Sequence, residues 1–162
     1  MNASISFRDW TVLAAIGTAV AGVAVAGSAV TIPAIPGWYA GLQKPWFTPP
    51  NSVFAPAWTA LYAMMAYATW RAWRAAGAAD QRIVLIVFAG QLALNALWSQ
   101  LFFGWQRPDL AMVDIVLLWA ALATTLVVFG RFDRLSAWLM APYFLWVTFA
   151  AVLNAEIIRL NA

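Results

Sequence analysis

Ile83 to Gln106 reads IVLIVFAGQLALNALWSQLFFGWQ, a run of 24 residues without one charged side chain. An α-helix rises 1.5 Å per residue, so about 20 apolar residues suffice to cross the ~30 Å hydrocarbon core of a bilayer. Hydrophobic side chains continue round the whole of this helix, which is typical of a membrane span and not of an amphipathic surface helix. The run therefore predicts a transmembrane helix.

Similar apolar runs make up most of the chain. Of its 162 residues, 65% are hydrophobic and only 9% are charged, whereas about a quarter of the residues in a soluble domain are charged. The sequence predicts an all-α membrane protein, a single domain over residues 1–162 that folds as a compact bundle of five transmembrane helices with a structured first loop. We expect helices at about residues 10–32, 51–73, 82–104, 109–130 and 134–159, and the loop at 33–50.

The orientation in the membrane follows from the basic residues. Because the second, third and fourth connections are short, consecutive helices are expected to be antiparallel neighbours. Six Lys and Arg residues then fall on the side of the N-terminus and three on the side of the first loop. By the positive-inside tendency, the N-terminus is cytoplasmic and the first loop lies outside. The six are Arg8, Arg71, Arg74, Arg82, Arg131 and Arg134, and the three are Lys44, Arg107 and Arg159.

The composition also excludes several kinds of chemistry. The chain contains no Cys and no His, which rules out disulfides, thiol catalysis, zinc sites and the usual axial haem ligands, so no metal site is predicted. The net charge of +3 is small and the basic residues are scattered, unlike a nucleic-acid-binding surface. Membrane lipid is therefore an expected partner and nucleic acid is not.

Four polar residues inside the predicted spans are candidates for function, because such groups are costly in a membrane. They are Gln91, Asn95, Asp114 and Asn154. From the rise of an α-helix, Asn95 lies about 14 Å, and Asp114 and Asn154 about 8 Å, from the outer ends of their spans. This shared depth predicts a polar-lined space directly beneath the first loop.

Aromatic residues share helix faces with these amides. Gln91, Asn95 and Trp98 are spaced i, i+4 and i+7, which places them on one face of the third span. Two other spans repeat this one-face spacing, with Trp58 and Tyr62 on the second and with Pro142, Trp146, Ala150 and Asn154 on the fifth. Three helices thus offer aromatic and amide-bearing stripes, which favours a ligand pocket.

Each of these polar residues also has a structural interpretation. Gln91 is at least as well explained by a hydrogen bond between helices as by ligand contact. Asp114 is predicted to hold the third connection through Arg107 or a backbone amide, since a proton relay normally has several acids in line. Trp58 and Trp146 could simply fill the core, but their outer depth beside an amide favours a pocket.

The segment from Trp38 to Pro50, WYAGLQKPWFTPP, differs from the rest of the chain. Its three prolines, Pro45, Pro49 and Pro50, disfavour a helix, and Lys44 is its only charged residue. Aromatic side chains on such a stiff backbone exceed what a simple connection needs. We therefore predict that this segment lids the pocket.

Taken together, these motifs resemble the TspO/MBR family, the tryptophan-rich sensory proteins of bacteria and the mitochondrial translocator protein, or peripheral-type benzodiazepine receptor. The resemblance rests on the segment 38–50, FAPAWTALY at 54–62, QLALNALW at 91–98 with FFG at 102–104, and PYFLW at 142–146 continuing to Leu153-Asn154. It extends in order over nearly the whole chain. The 11 Trp residues also suit the family's name.

The resemblance implies a usually dimeric five-helix bundle that binds porphyrins and other tetrapyrroles, with cholesterol and benzodiazepine-type drugs bound by animal members. It implies a pocket under the first loop, lined at Trp38, Trp58, Asn95, Trp98, Trp146, Ala150 and Leu153. With the residues singled out by spacing and charge, the expected ligand-binding set also includes Lys44, Tyr62 and Asn154.

Two departures from the family pattern limit what the resemblance implies. The cholesterol motif has a Tyr before a basic residue, but here the last helix reads Ala155-Glu156-Ile157-Ile158-Arg159. A sterol or hopanoid-like lipid is therefore only a weak candidate partner. Ala150 stands where some bacterial members have an acid, so chemistry that depends on a carboxylate there is not expected.

Two functions follow as hypotheses. The first is an integral membrane receptor or carrier that binds tetrapyrroles, including haem-type rings, as ligands and not as covalent cofactors, in tetrapyrrole regulation or a stress response. The alternative, which rests on the resemblance alone, is light- and oxygen-dependent porphyrin degradation with Trp58 and Trp146 as the redox-active groups. An ion-coupled transporter is disfavoured, because the five spans show no inverted repeat and a single intramembrane Asp.

Overall fold

The structure is a computed structural model that describes residues 6–162. Within that range the regular secondary structure is entirely helical, as predicted. The helices are α1 (Phe7–Ala34), α2 (Asn51–Ala75), α3 (Gln81–Ser99), α4 (Pro108–Phe132) and α5 (Arg134–Leu160), and π-helical segments extend α1 over Ile35–Tyr39 and α3 over Gln100–Gly104.

The helices form a closed ring in the order α1, α2, α5, α4 and α3, with α3 packed back against α1. In the described part of the chain, the helical stretches that contain α1, α3, α4 and α5 are each long and apolar enough to cross a membrane. α2 has 25 residues, about 37 Å of helix, but its Trp, Tyr and Thr side chains lower its mean hydropathy. The chain is a multi-pass integral membrane protein, as predicted.

The prediction of a loop over residues 33–50 is wrong in its first half. The chain stays helical through Pro33 and Pro36 as far as Gly41. Proline is tolerated inside membrane helices, where neighbouring helices and local adjustments compensate for its missing backbone donor. A π-helical segment, Ile35–Tyr39, follows Pro33 and contains Pro36. The non-helical loop is therefore only Leu42–Pro50, which we call the first loop from here on.

Helix starts follow recognisable local signals. At the beginning of α1, the Ser6 hydroxyl accepts from the Asp9 amide at 3.3 Å and the Asp9 carboxylate accepts from the Ser6 amide at 2.7 Å, a reciprocal capping box. α4 starts with Pro108, whose missing N–H costs nothing at that position. α5 is capped by Asp133, whose Oδ2 accepts from the Ser136 amide at 3.0 Å.

The two halves of the bundle are packed differently. In the half away from the first loop, α1 buries Ile16 and Val20, and the buried residues of α2 begin only at Leu61. Polar contacts close the same end: the Trp70 indole donates to the Asp9 carbonyl at 2.8 Å. Nearer the first loop, residues 21–34 of α1 and residues 51–60 of α2 include no fully buried hydrophobic side chain. Space is therefore left on the side of the first loop.

An ion pair joins α2 to the α4–α5 corner. Arg71 donates to Asp133 from Nε at 2.9 Å and from one terminal nitrogen at 3.1 Å, a two-pronged arrangement. The Arg71 hydrogen bond, followed by those from Ser136, holds the pKa of the Asp133 carboxyl below its usual range, against the opposing effect of partial burial. One side chain thus caps α5 and ties it to α2.

Replacing Asp133 with Ala should lower the free energy of unfolding by about 1–3 kcal/mol, because both the cap and the charged hydrogen bonds are lost. The folded-state pKa of Asp133 lies below the unfolded value of about 3.9. Its stabilisation is therefore complete above that pH and is lost as the pH falls through the folded-state pKa. Unfolding in detergent at pH 7 and below pH 4 measures both effects.

Asp109→Ala is the control for this prediction. Asp109 pairs with Arg107, but each of those side chains is 55% exposed, and exposed pairs contribute only about 0–1 kcal/mol. The Asp133 variant should unfold earlier than the Asp109 variant at pH 7 and should lose less further stability on acidification than the wild type. Equal destabilisation by the two substitutions would contradict the assignment.

Candidate ligand-binding cavity

A cavity of about 330 Å³ lies inside the half of the bundle nearest the first loop. This volume is at the lower end of the range for small-molecule sites. All five helices contribute to its walls, and no charged side chain of the described residues is among them. The residues that form its aromatic and amide surface are Tyr39, Asn51, Phe54, Trp58, Tyr62, Asn95, Trp98, Phe102, Phe103, Trp146, Phe149 and Asn154.

One wall of the cavity is an aromatic cluster from α2 and α5. The Trp58 ring lies 6.4 Å from Trp146 and 5.9 Å from Tyr143, measured between centroids, in edge-to-face arrangements. Phe54 meets Trp146 in the same way at 5.9 Å. Such pairs hold the rings at fixed angles and gain about 0.5–1.5 kcal/mol beyond the burial of their area. The wall is therefore rigid and apolar.

The facing wall comes from the end of α3 and its π-helical extension. Trp98 stacks on Phe102, with centroids 5.0 Å apart and planes 20° from parallel. Tyr39, at the end of the π-helical extension of α1, contacts Phe102 and Phe103 at 6.4 Å and 5.7 Å. The wide turn of the Gln100–Gly104 segment presents Phe102 and Phe103 to the cavity in succession. Aromatic surfaces thus face each other across the space.

Asn95 forms the floor of the cavity and is almost fully buried. Its side-chain oxygen accepts from the Tyr62 hydroxyl at 2.8 Å, and its amide nitrogen donates to the Tyr143 hydroxyl, also at 2.8 Å. These bonds join α3 to α2 and α5. Asn95 therefore already has two interhelical partners, and a ligand above it would meet an amide that is oriented and partly satisfied.

Eight of the ten predicted ligand-binding residues line the cavity. They are Tyr62, Trp58, Asn95, Trp98, Trp146, Ala150, Leu153 and Asn154. The one-face spacing on α2, α3 and α5 therefore converges on a single space, as predicted. Ligand contact by these residues remains a prediction.

Trp38 and Lys44 lie outside the lining. Trp38 packs edge-on against the Phe102 ring, with centroids 5.5 Å apart, and so supports the wall from behind. The Lys44 ammonium donates to the carbonyls of Tyr39 at 2.7 Å and Leu42 at 2.9 Å, and it lies 4.8 Å from the Tyr39 ring centroid. Lys44 is therefore occupied at the C-terminal end of the first helix, where a cation is favourable.

Two polar residues differ from their predicted arrangement. Asp114 does not hold the third connection through Arg107, because Arg107 pairs with the neighbouring Asp109, and the Asp114 carboxylate is buried without a hydrogen-bond partner among the described residues. Gln91 follows its structural interpretation, since its amide nitrogen reaches the Met65 sulfur on α2 at 3.4 Å. Neither residue lines the cavity.

Comparison with known proteins agrees with this architecture. The sequence profile of the TspO/MBR family matches residues 15–160. The chain belongs to the TspO/MBR family.

Individual relatives come from distant branches of life. A protein named tryptophan-rich protein TspO from Archaeoglobus fulgidus is 43% identical over 144 residues, 89% of this chain and 93% of the relative. The translocator protein of Sus scrofa is 43% identical over 126 residues, which cover 76% of this chain and 75% of the relative. The tryptophan-rich sensory protein of Cereibacter sphaeroides is 40% identical over 124 residues, which cover 76% and 77%.

Sequence reasoning missed the contribution of α1 to this TspO-family cavity. Ala24, Gly27, Ser28 and Thr31 line it, whereas the predicted lining includes no residue of the first span. A usable signal was present, because Ala24, Ser28 and Thr31 are spaced i, i+4 and i+7 with Gly27 between them. A β-carbon on Gly27 would come within 3.3 Å of the Ser99 hydroxyl, so the helices approach closely there.

The first loop of this TspO-family chain is fastened to the end of α5 and contacts one cavity residue. The Gln43 amide donates to the Asn161 side-chain oxygen at 3.0 Å, and the Asn161 amide group donates back to the Gln43 carbonyl at 2.9 Å. Phe47 adds an edge-on contact with Phe149, a cavity residue, at 6.2 Å. The loop is therefore held by both polar and aromatic contacts. None of its residues lines the cavity, and its role as a lid remains a prediction.

Asn161→Ala should loosen this loop without changing the bundle. Loss of the two hydrogen bonds should speed hydrogen exchange of the Gln43 amide by about tenfold, the change expected for roughly 1.4 kcal/mol of local stability. Exchange measured by NMR or mass spectrometry should leave amides in the middle of α4 unchanged. Leu160→Ala, which leaves both hydrogen bonds in place, is the control, and unchanged Gln43 exchange in the Asn161 variant would refute this fastening.

Proposed function

We propose that this TspO-family membrane protein is a receptor or carrier that binds porphyrins and related tetrapyrroles in the cavity under the first loop. The observation that carries the proposal is the pair of aromatic walls, Trp58 with Trp146 on one side and Trp98 stacked on Phe102 on the other. A flat conjugated ring gains most from such surfaces, because stacked and edge-on contacts add to the burial of apolar area.

The residue types of the chain favour contact with the aromatic face of a tetrapyrrole over coordination of a metal at its centre. His and Cys are absent from the sequence, so the common axial iron ligands cannot supply the affinity. The macrocycle would instead be held by aromatic contacts, and the Asn95 amide at the floor would orient its polar edge. Other flat apolar ligands, including benzodiazepine-type drugs, belong to the same class.

The carboxylates of a porphyrin would remain near the outer end of the cavity. The lining offers no cation, and Lys44 is bonded to backbone carbonyls. Asn51, at the N-terminus of α2, is a lining residue at the rim, where the unpaired amides of a helix start favour negative charge. The apolar edge of the ring would therefore lie inside the cavity, and its carboxylate edge would lie at the rim.

Further expectations follow from the family. We propose a role in tetrapyrrole regulation or a stress response, a homodimeric assembly, and an N-terminus on the cytoplasmic side. Sterol or hopanoid-like lipid binding is the weakest of these expectations, because the motif of the last helix lacks its Tyr.

Binding of protoporphyrin IX and of haemin, each titrated against tryptophan fluorescence in nanodiscs, tests the leading proposal. We expect dissociation constants that agree within about threefold, since the chain offers the iron neither His nor Cys. Ala150→Phe should weaken both by tenfold or more, because the added ring fills part of a cavity of about 330 Å³.

Ala155→Phe on the same helix is the matched control, since Ala155 is exposed and lies outside the lining. The proposal fails if neither compound binds, or if haemin binds far more tightly with a shifted Soret band. Equal weakening by both Phe substitutions would place the site elsewhere.

Light- and oxygen-dependent porphyrin degradation is the second candidate function. The observation in its favour is that Trp58 and Trp146 both line the cavity, with ring centroids 6.4 Å apart. Both indoles would therefore contact a bound macrocycle and could exchange electrons with its excited state.

Irradiation of the protein with protoporphyrin IX in air should yield a new absorbing product if this candidate is right. Trp58→Phe with Trp146→Phe should abolish that product while porphyrin binding is largely retained, because Phe keeps the aromatic walls but is much harder to oxidise. Trp138→Phe is the control, since Trp138 is 73% exposed on the outer surface of α5. Unchanged product formation in the double variant would exclude this role.

A further inference from the structure

The cavity is not enclosed on all sides, and its opening faces the bilayer. Five residues both line the cavity and are exposed, and one of them, Asn51, lies at the rim where α2 begins. The other four lie on the facing helices: Ser28 and Ile32 on α1 and Ala55 and Thr59 on α2. We call the space between them the α1/α2 gap. A residue can line the cavity and also be exposed only where the wall between the cavity and the outside is one side chain thick or has an opening.

The gap follows from the uneven packing of α1. At the far end, α1 is held by burial of Ile16 and Val20 and by the Trp10–Trp70 stacking contact at 6.4 Å. Beyond Val20, none of its residues before Tyr39 is fully buried. Ile32 is 66% exposed although it also reaches the cavity. The packing of α1 against the bundle thus becomes looser toward the first loop.

The side chains at the gap are too small to close it. Ser28 and Ala55 end at the β or γ position, and the Thr59 hydroxyl is turned onto its own helix, where it donates to the Ala55 carbonyl at 2.8 Å. On α1, Ala24 and Gly27 continue this small surface into the cavity. Ile32 is the one large apolar side chain among the four residues of the gap, and it is 66% exposed.

The depth of the gap places it in hydrocarbon. Thr59 lies eight residues, about 12 Å along the helix axis, from the start of α2 at Asn51. That is well below the level of the first loop and within a hydrocarbon core of about 30 Å. An opening at that depth is reached from within the bilayer, so it favours molecules that partition into the membrane over those that stay in water.

The route through the first loop is obstructed by comparison. Asn161 fastens the loop backbone at Gln43, Lys44 is bonded to the end of the first helix, and Phe47 rests on Phe149. A ligand passing that way would have to break several polar contacts. Passage between Ser28 and Ala55 requires none of these bonds to break.

We propose that ligands reach and leave the cavity sideways from the bilayer through the α1/α2 gap, and that Ser28, Ile32, Ala55 and Thr59 control which ligands pass. The ligand class is therefore flat molecules that partition into the membrane and carry a large apolar part. The first loop acts as a fixed roof. The identity of the ligand rests on the proposed function, but the route itself does not.

The first arm of the test measures binding kinetics of protoporphyrin IX in nanodiscs, followed by porphyrin fluorescence. Ala55→Phe and Ser28→Phe, which place a ring in the gap, should slow association and dissociation together by about tenfold or more. Ala60→Phe and Ala26→Phe, at exposed positions outside the lining, should leave both rates within about twofold of wild type.

The second arm needs no tetrapyrrole. The chain has no Cys, so Ala150→Cys places a single thiol in the cavity. In nanodiscs, N-pyrenylmaleimide, a flat reagent that partitions into bilayers, should label it much faster than a sulfonated, membrane-impermeant maleimide does. Adding Ala55→Phe should slow pyrene labelling by about tenfold or more, whereas adding Ala60→Phe should not.

The binding experiment tests both the proposed ligand and the route, whereas the labelling experiment tests the route alone. If protoporphyrin IX does not bind, the proposed function fails, and the labelling arm still decides the route. The route is overturned if Ala55→Phe leaves labelling unchanged, or if the impermeant reagent labels as fast as the pyrene reagent. It is also overturned if Asn161→Ala, which frees the loop, accelerates labelling as strongly as Ala55→Phe was expected to slow it.

Discussion

The hydrogen bonds of Asn95 set the level at which the packed half of the bundle gives way to the cavity. The amide joins Tyr62 of α2 and Tyr143 of α5 to α3 at 2.8 Å on each side. Inside a membrane no water competes for these groups, so an unpaired amide would be costly and the three helices are held in one register. Below this level Met65, Phe129 and Met140 fill the interior, and above it the aromatic rings turn edge-on and leave space.

The two ends of the bundle are consequently stabilised in different ways. The end away from the first loop relies on apolar burial together with the ion pair of Arg71 and Asp133. The end near the loop has a smaller buried cluster that includes Tyr39 and Phe102, together with directed contacts of Asn161 with Gln43 and of Lys44 with helix carbonyls. Cavities lower stability because their lining atoms lose packing partners, so a cavity on this scale requires the well-packed half beneath it.

The sequence alone was sufficient to predict the helices and most of the cavity lining. The predictions failed at positions where the contacts of a side chain decide its role. Periodicity placed Asn95, Trp98 and Trp146 correctly, because a face of a helix is fixed by 3.6 residues per turn. It could not reveal that Pro33 lies within a continuous helix, since prolines occur both inside membrane helices and at their ends. Lys44 was assigned to the ligand as the sole cation of its segment, yet nearby carbonyls compete for it, and only coordinates locate them.

The absence of charge from the lining has a consequence for how any acidic ligand would sit. A carboxylate buried without a partner is strongly disfavoured, so the acidic edge of a tetrapyrrole must remain where water or a helix start can solvate it. The cavity, about 330 Å³ in volume, would therefore hold the apolar part of the ring while its acidic edge stays near Asn51. A ring placed in this way would extend toward the opening between α1 and α2. The small residues of α1 then serve the same ligand as the aromatic residues of α5, because they leave the side of the site open.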